Sequence, residues 1–277
     1  MRVLVTGGAG LLGSALLRSA PAGVEVHATE RSTPARGAEG HRVELADAVA
    51  VAALWEHVRP DAVIHTAYDT RASDEEIRAA TTNVARSSRR VGAALVHVST
   101  DVVLDGERSP YPESAEPAPL FPYAERKAEA ERVVREEAPG AAVVRTSLLI
   151  ATDPPDRTTQ WVLDALRTGA PLRLFTDELR CPIAAADLAA QLWEVAAFPP
   201  EERGGVWHLV GPEAISRYAL GLLVAARWGL PAQGITPVPA SESPTPRPRD
   251  LRLLTTRADA ALRTRARPVS RVLAPGG

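Results

Sequence analysis

The chain has 277 residues, of which 45% are hydrophobic and 24% are charged, and its formal net charge is -2. This length and composition are typical of a globular protein with one large or two small domains, and the charge argues against a nucleic-acid-binding surface over the whole chain. Eight arginines between residues 247 and 271 form a local basic stretch, which we interpret as solvated surface.

The single cysteine, Cys181, excludes an internal disulfide and a zinc site built from several thiolates. The N-terminus opens directly on the apolar run Val3–Val5, and no apolar segment reaches membrane-spanning length. We therefore expect a cytoplasmic protein with no membrane contact, no nucleic-acid partner and no bound metal. A homodimer is compatible with the sequence, which leaves the oligomeric state open.

Short valine-rich runs alternate with longer stretches rich in alanine, leucine and arginine, as is typical of strands and helices around a parallel sheet. The predicted strands are residues 3–6, 24–29, 62–66, 94–99 and 142–147. The predicted helices are residues 12–19, 49–58, 75–91 and 123–137. Together they predict an α/β fold in which residues 1–150 form a Rossmann-type doubly wound parallel sheet, with its ligand crevice at the carboxyl ends of the strands.

After residue 150 the pattern becomes less regular, and residues 151–277 predict a smaller, mixed α/β part that binds substrate. Its predicted elements are a helix at 160–167, a strand at 172–175, a helix at 188–197 capped by Asp187, a strand at 206–210 and a helix after Ser216. Whether the segment 181–198 returns to the first domain is left open. The proline-rich stretch 237–248 is interpreted as a surface excursion that could cover a ligand.

The first predicted strand runs into a glycine-rich loop at residues 6–13 (TGGAGLLG), where a helix begins. The spacing of Gly8, Gly10 and Gly13 permits a tight turn, close approach of the backbone to a pyrophosphate, and close packing of helix on strand. The N–H groups at the start of the helix would face the anion. The loop therefore predicts a dinucleotide site, to which we assign Gly7, Gly10, Leu11, Leu12 and Gly13.

The second predicted strand ends at Glu30, where an acidic residue could bind the ribose hydroxyls of NAD. Arg31 follows immediately and, with Arg36, could instead hold the 2′-phosphate of NADP. The sequence thus leaves the choice between NAD and NADP open. Glu44 and Leu45 are placed to meet the adenine ring.

Of the 32 basic residues, 31 are arginine and one, Lys127, is lysine. Lys127 lies four residues after Tyr123 in a predicted helix, so both side chains share one face. A phenol, with a pKa of about 10, is a poor acid–base group at neutral pH unless its anion is stabilised. An ammonium about 4 Å away contributes about 4 kcal/mol at an effective dielectric constant of about 20, which predicts that Tyr123 titrates near neutrality.

The strand that ends at Ser99 and Thr100 supplies a third participant. A hydroxyl at this position can donate a hydrogen bond to a substrate oxygen on which charge develops. We therefore predict Thr100, Tyr123 and Lys127 as catalytic residues, with Ser99 in support.

These motifs together resemble those of the extended short-chain dehydrogenase/reductase family, most closely its dTDP-4-dehydrorhamnose reductase branch of nucleotide-sugar enzymes. The resemblance spans nearly the whole chain and includes the glycine loop at 6–13, Ser-Thr-Asp at 99–101, the Tyr-x-x-x-Lys pair at 123–127, and landmarks at 60–65, 82–84, 145–147, 180–183 and 187–189. It implies hydride transfer from NAD(P)H to a keto group of a nucleotide-linked deoxysugar or a related small carbonyl compound.

In this family mechanism Tyr123 would protonate the substrate oxygen and Thr100 would polarise it. Lys127 would lower the tyrosine pKa and hold the nicotinamide ribose, and Asn83 would assist a proton relay. The cofactor contacts that we predict in addition to those above are Thr66, Ala67, Tyr68, Asn83, Ser99, Tyr123 and Lys127.

The sequence also departs from the family. Ile150-Ala151 stands where Tyr-Gly is usual, Leu148 replaces a common aromatic, and Ala124 replaces a glycine, so the identity of the sugar is left open. Because Thr100 is followed by Asp101-Val102 and not by the Asp-Glu of sugar dehydratases, dehydration is not expected. Two alternatives are a nucleotide-sugar epimerase with tightly bound NAD and a noncatalytic NADP-binding regulatory subunit. The intact Thr100, Tyr123 and Lys127 argue against the second.

Overall fold

The computed structural model describes residues 1–275 of the chain. Its strands are β1 (Arg2–Thr6), β2 (Glu25–Glu30), β3 (Glu39–Arg42), β4 (Ala62–His65), β5 (Ala94–Thr100), β6 (Ala142–Thr146), β7 (Leu149–Ile150), β8 (Leu172–Phe175), β9 (Leu179–Arg180), β10 (Ile183–Ala184), β11 (Gly205–Leu209), β12 (Ile215–Ser216) and β13 (Ile235–Val238). Its α-helices are α1 (Leu11–Arg18), α2 (Ala48–Val58), α3 (Asp74–Val91), α4 (Pro122–Glu137), α5 (Arg157–Thr168), α6 (Ala185–Ala197), α7 (Pro200–Arg203), α8 (Arg217–Arg227), α9 (Thr256–Ala261) and α10 (Val269–Val272).

Seven of these strands form one parallel sheet in the order β11-β6-β5-β4-β1-β2-β3. The chain runs outward from β1 to β3 and then returns to pair β4 with the other side of β1. Such a reversal leaves a crevice beyond the carboxyl ends of β1 and β4, because the connections on either side diverge there. The predicted doubly wound, Rossmann-type fold is confirmed.

The strands of this sheet are apolar because both of its faces are covered by helices. Val3, Leu4 and Val5 of β1 are fully buried, and each contributes about 1.5–3 kcal/mol through removal of its side chain from water. Alternate residues of β1 enter different cores. Val3 and Val5 pack in the cluster that includes residues of α1 and α6, whereas Leu4 packs in the cluster that includes residues of α2 and α3.

The sheet includes more of the chain than the boundary at residue 150 would suggest. Strand β11 pairs with β6, and α6 packs beside α1 in the same hydrophobic core. The edge strand β3 has the sequence EGHR and is largely exposed, so it lacks the apolar run by which the other strands are recognised.

One predicted cap is wrong. Helix α6 begins at Ala185, after Ala184, whose side chain makes no capping hydrogen bond. Asp187 lies inside the first turn, where its carboxylate binds Arg267 with an Nη2–Oδ1 distance of 2.8 Å. A tertiary ion pair therefore holds this aspartate in place of the local backbone contact that the sequence predicts.

The remainder of the C-terminal part forms its own small core. Helices α5 and α8 pack against the β8–β13 pair through residues such as Leu163, Leu174 and Leu220. Within residues 1–275, no helix combines the length and apolar character needed to cross a membrane.

Candidate active site

A cleft of about 530 Å³ lies at the carboxyl ends of β1, β2 and β4. It brings together residues from the glycine loop, the ends of β2 and β4, the loop after β3, and α4. The predicted site residues that line this cleft are Gly7, Gly10, Glu30, Arg31, Glu44, Leu45, Thr66, Ala67, Tyr68 and Lys127.

The glycines of the loop have different roles. Gly7 has a φ of +72°, and a Cβ at this position would lie 2.9 Å from the Cα of Ala67, so only glycine fits. A Cβ on Gly13 would lie 2.2 Å from the carbonyl oxygen of Gly7, which shows how closely α1 approaches the loop. Gly8 instead packs against the sheet, where a Cβ would meet that of Ala28 at 2.7 Å. Gly7 and Gly10 therefore face the cleft, whereas Gly8 and Gly13 permit close packing behind it.

Helix α1 begins at Leu11, within the glycine loop. Its N-cap, Gly10, has no side chain to accept a hydrogen bond from the first turn. Leu11, Leu12 and Gly13 do not line the cleft, and the Leu12 side chain packs in the core. These residues would therefore contact a ligand through their backbone N–H groups. An uncapped helix N-terminus is suited to an anion such as a pyrophosphate.

Glu30 and Arg31 both line the cleft at the carboxyl end of β2 but are held differently. One carboxylate oxygen of Glu30, Oε2, accepts a hydrogen bond of 2.7 Å from the backbone N–H of Ala35. Arg31 pairs with Asp69, with an Nη1–Oδ2 distance of 2.5 Å, while its side chain is 59% exposed. Both side chains thus remain at the opening, and the geometry is compatible with either cofactor.

Two residues predicted to contact the cofactor have other partners. The Asn83 side chain donates hydrogen bonds to the carbonyl oxygens of Leu45 and Ala46, at 3.0 and 3.1 Å, and does not line the cleft. Its amide protons therefore hold the loop that follows β3, which is a different role from the predicted proton relay.

The Ser99 hydroxyl also turns away from the cleft. It donates a 2.6 Å hydrogen bond to Glu131, which forms a fully buried ion pair with Arg145. Adjacent residues of a strand point to opposite faces, so Ser99 and Thr100 cannot both face the same ligand. The predicted contact of the Ser99 hydroxyl with a cofactor is therefore not supported.

Helix α4 carries Tyr123, Lys127 and Glu131 at intervals of four residues, which places them along one face. Lys127 is only 6% exposed, and its Nζ donates a 2.7 Å hydrogen bond to the carbonyl oxygen of Val98. Burial lowers the pKa of Lys127 to about 8, an effect that the nearby Glu131 carboxylate opposes. The lysine is thus fixed at the inner wall of the cleft.

The pKa of Tyr123 differs from the predicted value near neutrality. Burial of its hydroxyl, followed by Tyr68 and Asp101, raises the pKa of Tyr123 to about 12, while Arg180 and a hydrogen bond with Thr100 act in the opposite direction. The charged groups with the largest influence on this pKa are Asp101 and Arg180, not Lys127. The prediction that Tyr123 titrates near neutrality is therefore wrong for the protein alone.

Tyr68 lies beside both residues of the Tyr-x-x-x-Lys motif. Its ring lies 5.5 Å from Nζ of Lys127 and contacts the Tyr123 ring edge-to-face, with 5.3 Å between the ring centroids. The Tyr68 ring thus contacts both side chains of the Tyr-x-x-x-Lys motif.

A second cavity, of about 330 Å³, contains the other two predicted catalytic residues, Thr100 and Tyr123. Its remaining walls come equally from residues before and after position 150, and the C-terminal contribution is rich in arginine. The other residues that line it are Val102, Phe121, Ser147, Leu148, Leu149, Glu178, Arg180, Arg217, Arg247 and Pro248. The proline-rich stretch therefore does cover a cavity, through its last two residues.

The charged wall of this cavity was not found from the sequence. Glu178 is 1% exposed and accepts hydrogen bonds of 2.8 Å from both Arg217 and Arg247. Asp101, fully buried, is paired with Arg180. Three arginines thus surround two carboxylates, which leaves one positive charge in excess. Asp101 and Arg180 both lie in landmark segments of the sequence, but only the fold reveals that they meet.

Two buried histidines, His65 and His97, also line the cleft without having been predicted. His65 Nδ1 lies 2.6 Å from the Thr6 hydroxyl. Burial lowers the pKa of His65 to about 3 and that of His97 well below its usual value, with Lys127 adding to the effect in both cases. Both imidazoles are therefore neutral at physiological pH.

Comparison with known proteins assigns the chain to a family. Residues 1–274 match the family model described as the RmlD substrate binding domain. The chain belongs to this family. The resemblance inferred from its motifs is thereby confirmed.

Two relatives and one solved structure illustrate the range of similar proteins. The dTDP-4-dehydrorhamnose reductase of Mycobacterium tuberculosis H37Rv is 31% identical, over 90% of this chain and 82% of its own. The methionine adenosyltransferase 2 subunit beta of Xenopus tropicalis is 29% identical, over 89% of this chain and 78% of its own. The dTDP-4-dehydrorhamnose reductase of Bacillus anthracis, solved in complex with NADP, has a TM-score of 0.83 at 21% identity and covers 98% of this chain and 95% of its own, which shows a common fold.

Proposed function

We propose that this chain is an NAD(P)H-dependent reductase that transfers hydride to the keto group of a nucleotide-linked deoxysugar. The observation that carries the proposal is the position of Thr100 and Tyr123 in one cavity and of Lys127 in the adjoining cleft, with Tyr68 in contact with both motif residues. A dinucleotide in the cleft and a carbonyl compound in the cavity would meet at this boundary. The family membership supports the same reaction class.

The cleft fits a nicotinamide dinucleotide. The bare backbone at Gly7 and the uncapped start of α1 offer a cradle for a pyrophosphate, and a side chain at Gly7 would collide with Ala67. Lys127 would donate to the hydroxyls of the nicotinamide ribose. When bound, the reduced nicotinamide supplies the hydride.

Tyr123 is suited to act as a general acid. With a pKa raised to about 12, its phenol is protonated at neutral pH and can give its proton to the substrate oxygen as that oxygen becomes an alkoxide. Thr100, hydrogen-bonded to Tyr123, would donate to the same oxygen. The resulting tyrosinate would be stabilised by the positive charge of Arg180.

The arginine-rich wall supports a substrate with a diphosphate. Arg217 and Arg247 line both the cavity at Tyr123 and a neighbouring cavity of about 240 Å³, so they would bridge a ligand that extends from one to the other. The neighbouring cavity includes the aromatic side chains Trp161 and Phe175, the former 53% exposed, on which a nucleobase could stack. Guanidinium groups pair well with phosphate oxygens.

The test is a reductase assay with a 4-keto-6-deoxy nucleotide sugar and either NADPH or NADH, followed by the absorbance of the reduced nicotinamide. We expect consumption by the wild-type protein and a loss of kcat on the order of 10²–10⁴-fold in Tyr123→Phe, with cofactor binding unchanged. Tyr218→Phe, outside the cavities, is the matched control. Full activity of Tyr123→Phe would overturn the assigned acid. Cofactor that survives dialysis, with no net consumption, would favour an epimerase.

A second candidate is a regulatory subunit, which the 29% identity to methionine adenosyltransferase 2 subunit beta favours. Such a role needs cofactor binding but no general acid. If the protein binds NADPH, fails to reduce any keto sugar, and alters the activity of the methionine adenosyltransferase from its own source, this candidate replaces the reductase. In that case Tyr123→Phe should alter the activity of the methionine adenosyltransferase to the same extent as the wild-type protein does.

A further inference from the structure

A cluster of histidine and glutamate side chains lies at the edge of the sheet. His27 is on β2, Glu39 and His41 are on the edge strand β3, and their ligand atoms lie within 4.8 Å of one another. Parallel pairing aligns His27 with Glu39 and Thr29 with His41, which brings the three side chains together. None of these three residues lines the cleft, so the cluster is separate from the candidate active site.

The distances within the cluster are close to those of a metal site. His27 Nδ1 lies 2.9 Å from His41 Nε2. The Glu39 carboxylate faces both rings, with Oε2 3.7 Å from His27 Nδ1 and Oε1 3.9 Å from His41 Nε2. Ligands bound tetrahedrally at about 2.0–2.1 Å from Zn²⁺ are roughly 3.3 Å apart, so shifts of about half an ångström suffice. The Glu39 side chain is 64% exposed and free to make such a shift.

Glu25 orients His27 for this role. Its Oε1 lies 3.0 Å from His27 Nε2, and an ionised carboxylate can only accept a hydrogen bond. Nε2 of a neutral His27 therefore carries the proton, and Nδ1 presents its lone pair to His41 and Glu39. A carboxylate behind a histidine ligand fixes the tautomer in the same way in known metal sites. Arg2, 3.1 Å from the same Oε1, holds Glu25 in turn.

The surroundings also suit a divalent cation. His57, on α2, lies edge-on to His41 with 6.2 Å between the ring centroids, and it or a water could complete four-fold coordination. Glu25 and Glu39 supply two negative charges to balance the metal. Imidazole with carboxylate favours zinc and related transition metals, whereas Mg²⁺ prefers oxygen ligands alone.

We propose that His27, Glu39 and His41 form a Zn²⁺-binding site that joins the edge strand β3 to β2, with Glu25 orienting His27. The site goes beyond the proposed reductase function and does not depend on it. Sequence analysis predicts no metal here because the ligands come from two strands and lack a recognisable spacing. Bound metal would stabilise the folded state, since the unfolded chain does not hold the three ligands together.

The test is titration calorimetry of the full-length, untagged protein with ZnCl₂ and, separately, MgCl₂. We expect one Zn²⁺ per chain and no comparable heat with Mg²⁺. At a free Zn²⁺ concentration about 100 times the Kd, the melting temperature should rise by roughly 5 °C. Substitution of Co²⁺ should give visible absorption from nitrogen and oxygen ligands.

Variants separate this site from binding elsewhere. His41→Gln and Glu39→Gln should each lower the Zn²⁺ affinity at least tenfold, and Glu25→Gln should lower it less, because Glu25 acts through His27. Glu201→Gln, an exposed carboxylate on α7, is the control and should bind as the wild type does. Circular dichroism and retained NAD(P)H binding show whether each variant is folded. Equal binding by the wild type and folded His41→Gln, or no binding by the wild type, would overturn the proposal.

Discussion

Lys127 combines two properties that usually exclude each other, a predominantly positive charge at neutral pH and almost complete burial. Its ammonium is held by one carbonyl oxygen, that of Val98, at the wall of the cleft. A guanidinium is larger, planar and differently hydrated, so it cannot replace this contact without displacing its neighbours. In a chain that otherwise uses arginine, the lysine is kept for its compact shape.

We predict that Lys127→Arg lowers kcat on the order of 100-fold while the protein remains folded. The larger guanidinium would crowd Tyr68 and disturb the hydrogen bond to the carbonyl oxygen of Val98, and with it the proposed contact with the nicotinamide ribose. Steady-state kinetics with circular dichroism as the fold check would measure this. Near-normal kcat in Lys127→Arg would mean that any cation at this position is sufficient.

The lowered pKa of Lys127 also makes stability depend on pH. The unfolded chain holds the lysine proton up to about pH 10.5, whereas the folded protein releases it near pH 8. Between these values the unfolded state binds more protons, so stability rises with pH. Relative to Lys127→Met, which has no such proton, the wild type should gain about 2 kcal/mol of unfolding free energy between pH 7 and pH 9.5. Urea unfolding of both proteins measures the difference, and a constant difference would show that the pKa is not lowered.

Among the helices and strands, α4 carries two of the proposed catalytic residues and also a buried residue of the protein interior. Beyond Tyr123 and Lys127, its next residue on the same face is Glu131, which is fully buried against Arg145 of β6 and also accepts a hydrogen bond from Ser99. Loss of one partner from a buried ion pair leaves the other charge uncompensated. The position of α4, which carries two of the proposed catalytic residues, therefore depends on a fully buried ion pair outside both cavities.

Glu131→Gln should reduce the unfolding free energy by about 3–5 kcal/mol. Glu136→Gln, on the same helix, removes an exposed partner of Arg132 and should cost less than about 1 kcal/mol. Chemical denaturation of the two variants gives the comparison. Equal losses would show that burial does not distinguish the two ion pairs.

Site residues are predicted best from the sequence where they lie close together in the chain and share one local structure. The glycine loop is recognised because strand, turn and helix follow each other within a few residues, and the α4 face is recognised from helical spacing. By contrast, the pKa of Tyr123 depends on Tyr68, Asp101 and Arg180, which are brought together only by the fold. Strand alternation could have shown that Ser99 and Thr100 face opposite ways, whereas the Glu178 partners could not be found without the structure.

At the scale of the whole molecule, the cavity at Tyr123 depends on both parts of the chain, whereas the cleft is lined by residues 7–130 alone. Arg180, Arg217 and Arg247 all come from the C-terminal part, yet they lie close to residues from the N-terminal half such as Asp101 and Tyr123. Burial of Glu178 among them fixes the C-terminal side of the cavity. Substrate affinity and cofactor affinity should therefore respond to different variants.

Arg247→Met should raise the KM for a nucleotide sugar roughly tenfold or more, because one charge-assisted contact to the diphosphate is lost, while the Kd for NADPH stays unchanged. Arg249→Met, two residues away and exposed, is the matched control. Kinetics with fluorescence titration of NADPH would separate the two effects. A change confined to NADPH binding would show that Arg247 does not face the sugar nucleotide.

The position of β11 has a consequence for attempts to exchange substrate preference between relatives. This strand belongs to the seven-stranded sheet and α6 packs against that sheet, although both follow α5 and β8 of the C-terminal part in the chain. A chimera joined at a single point near residue 150 would therefore carry a foreign outer strand into the recipient's sheet, and its junction would lie inside the core. Grafting should instead replace two separate stretches, one before α6 and one after β11, so that the host keeps its own sheet intact.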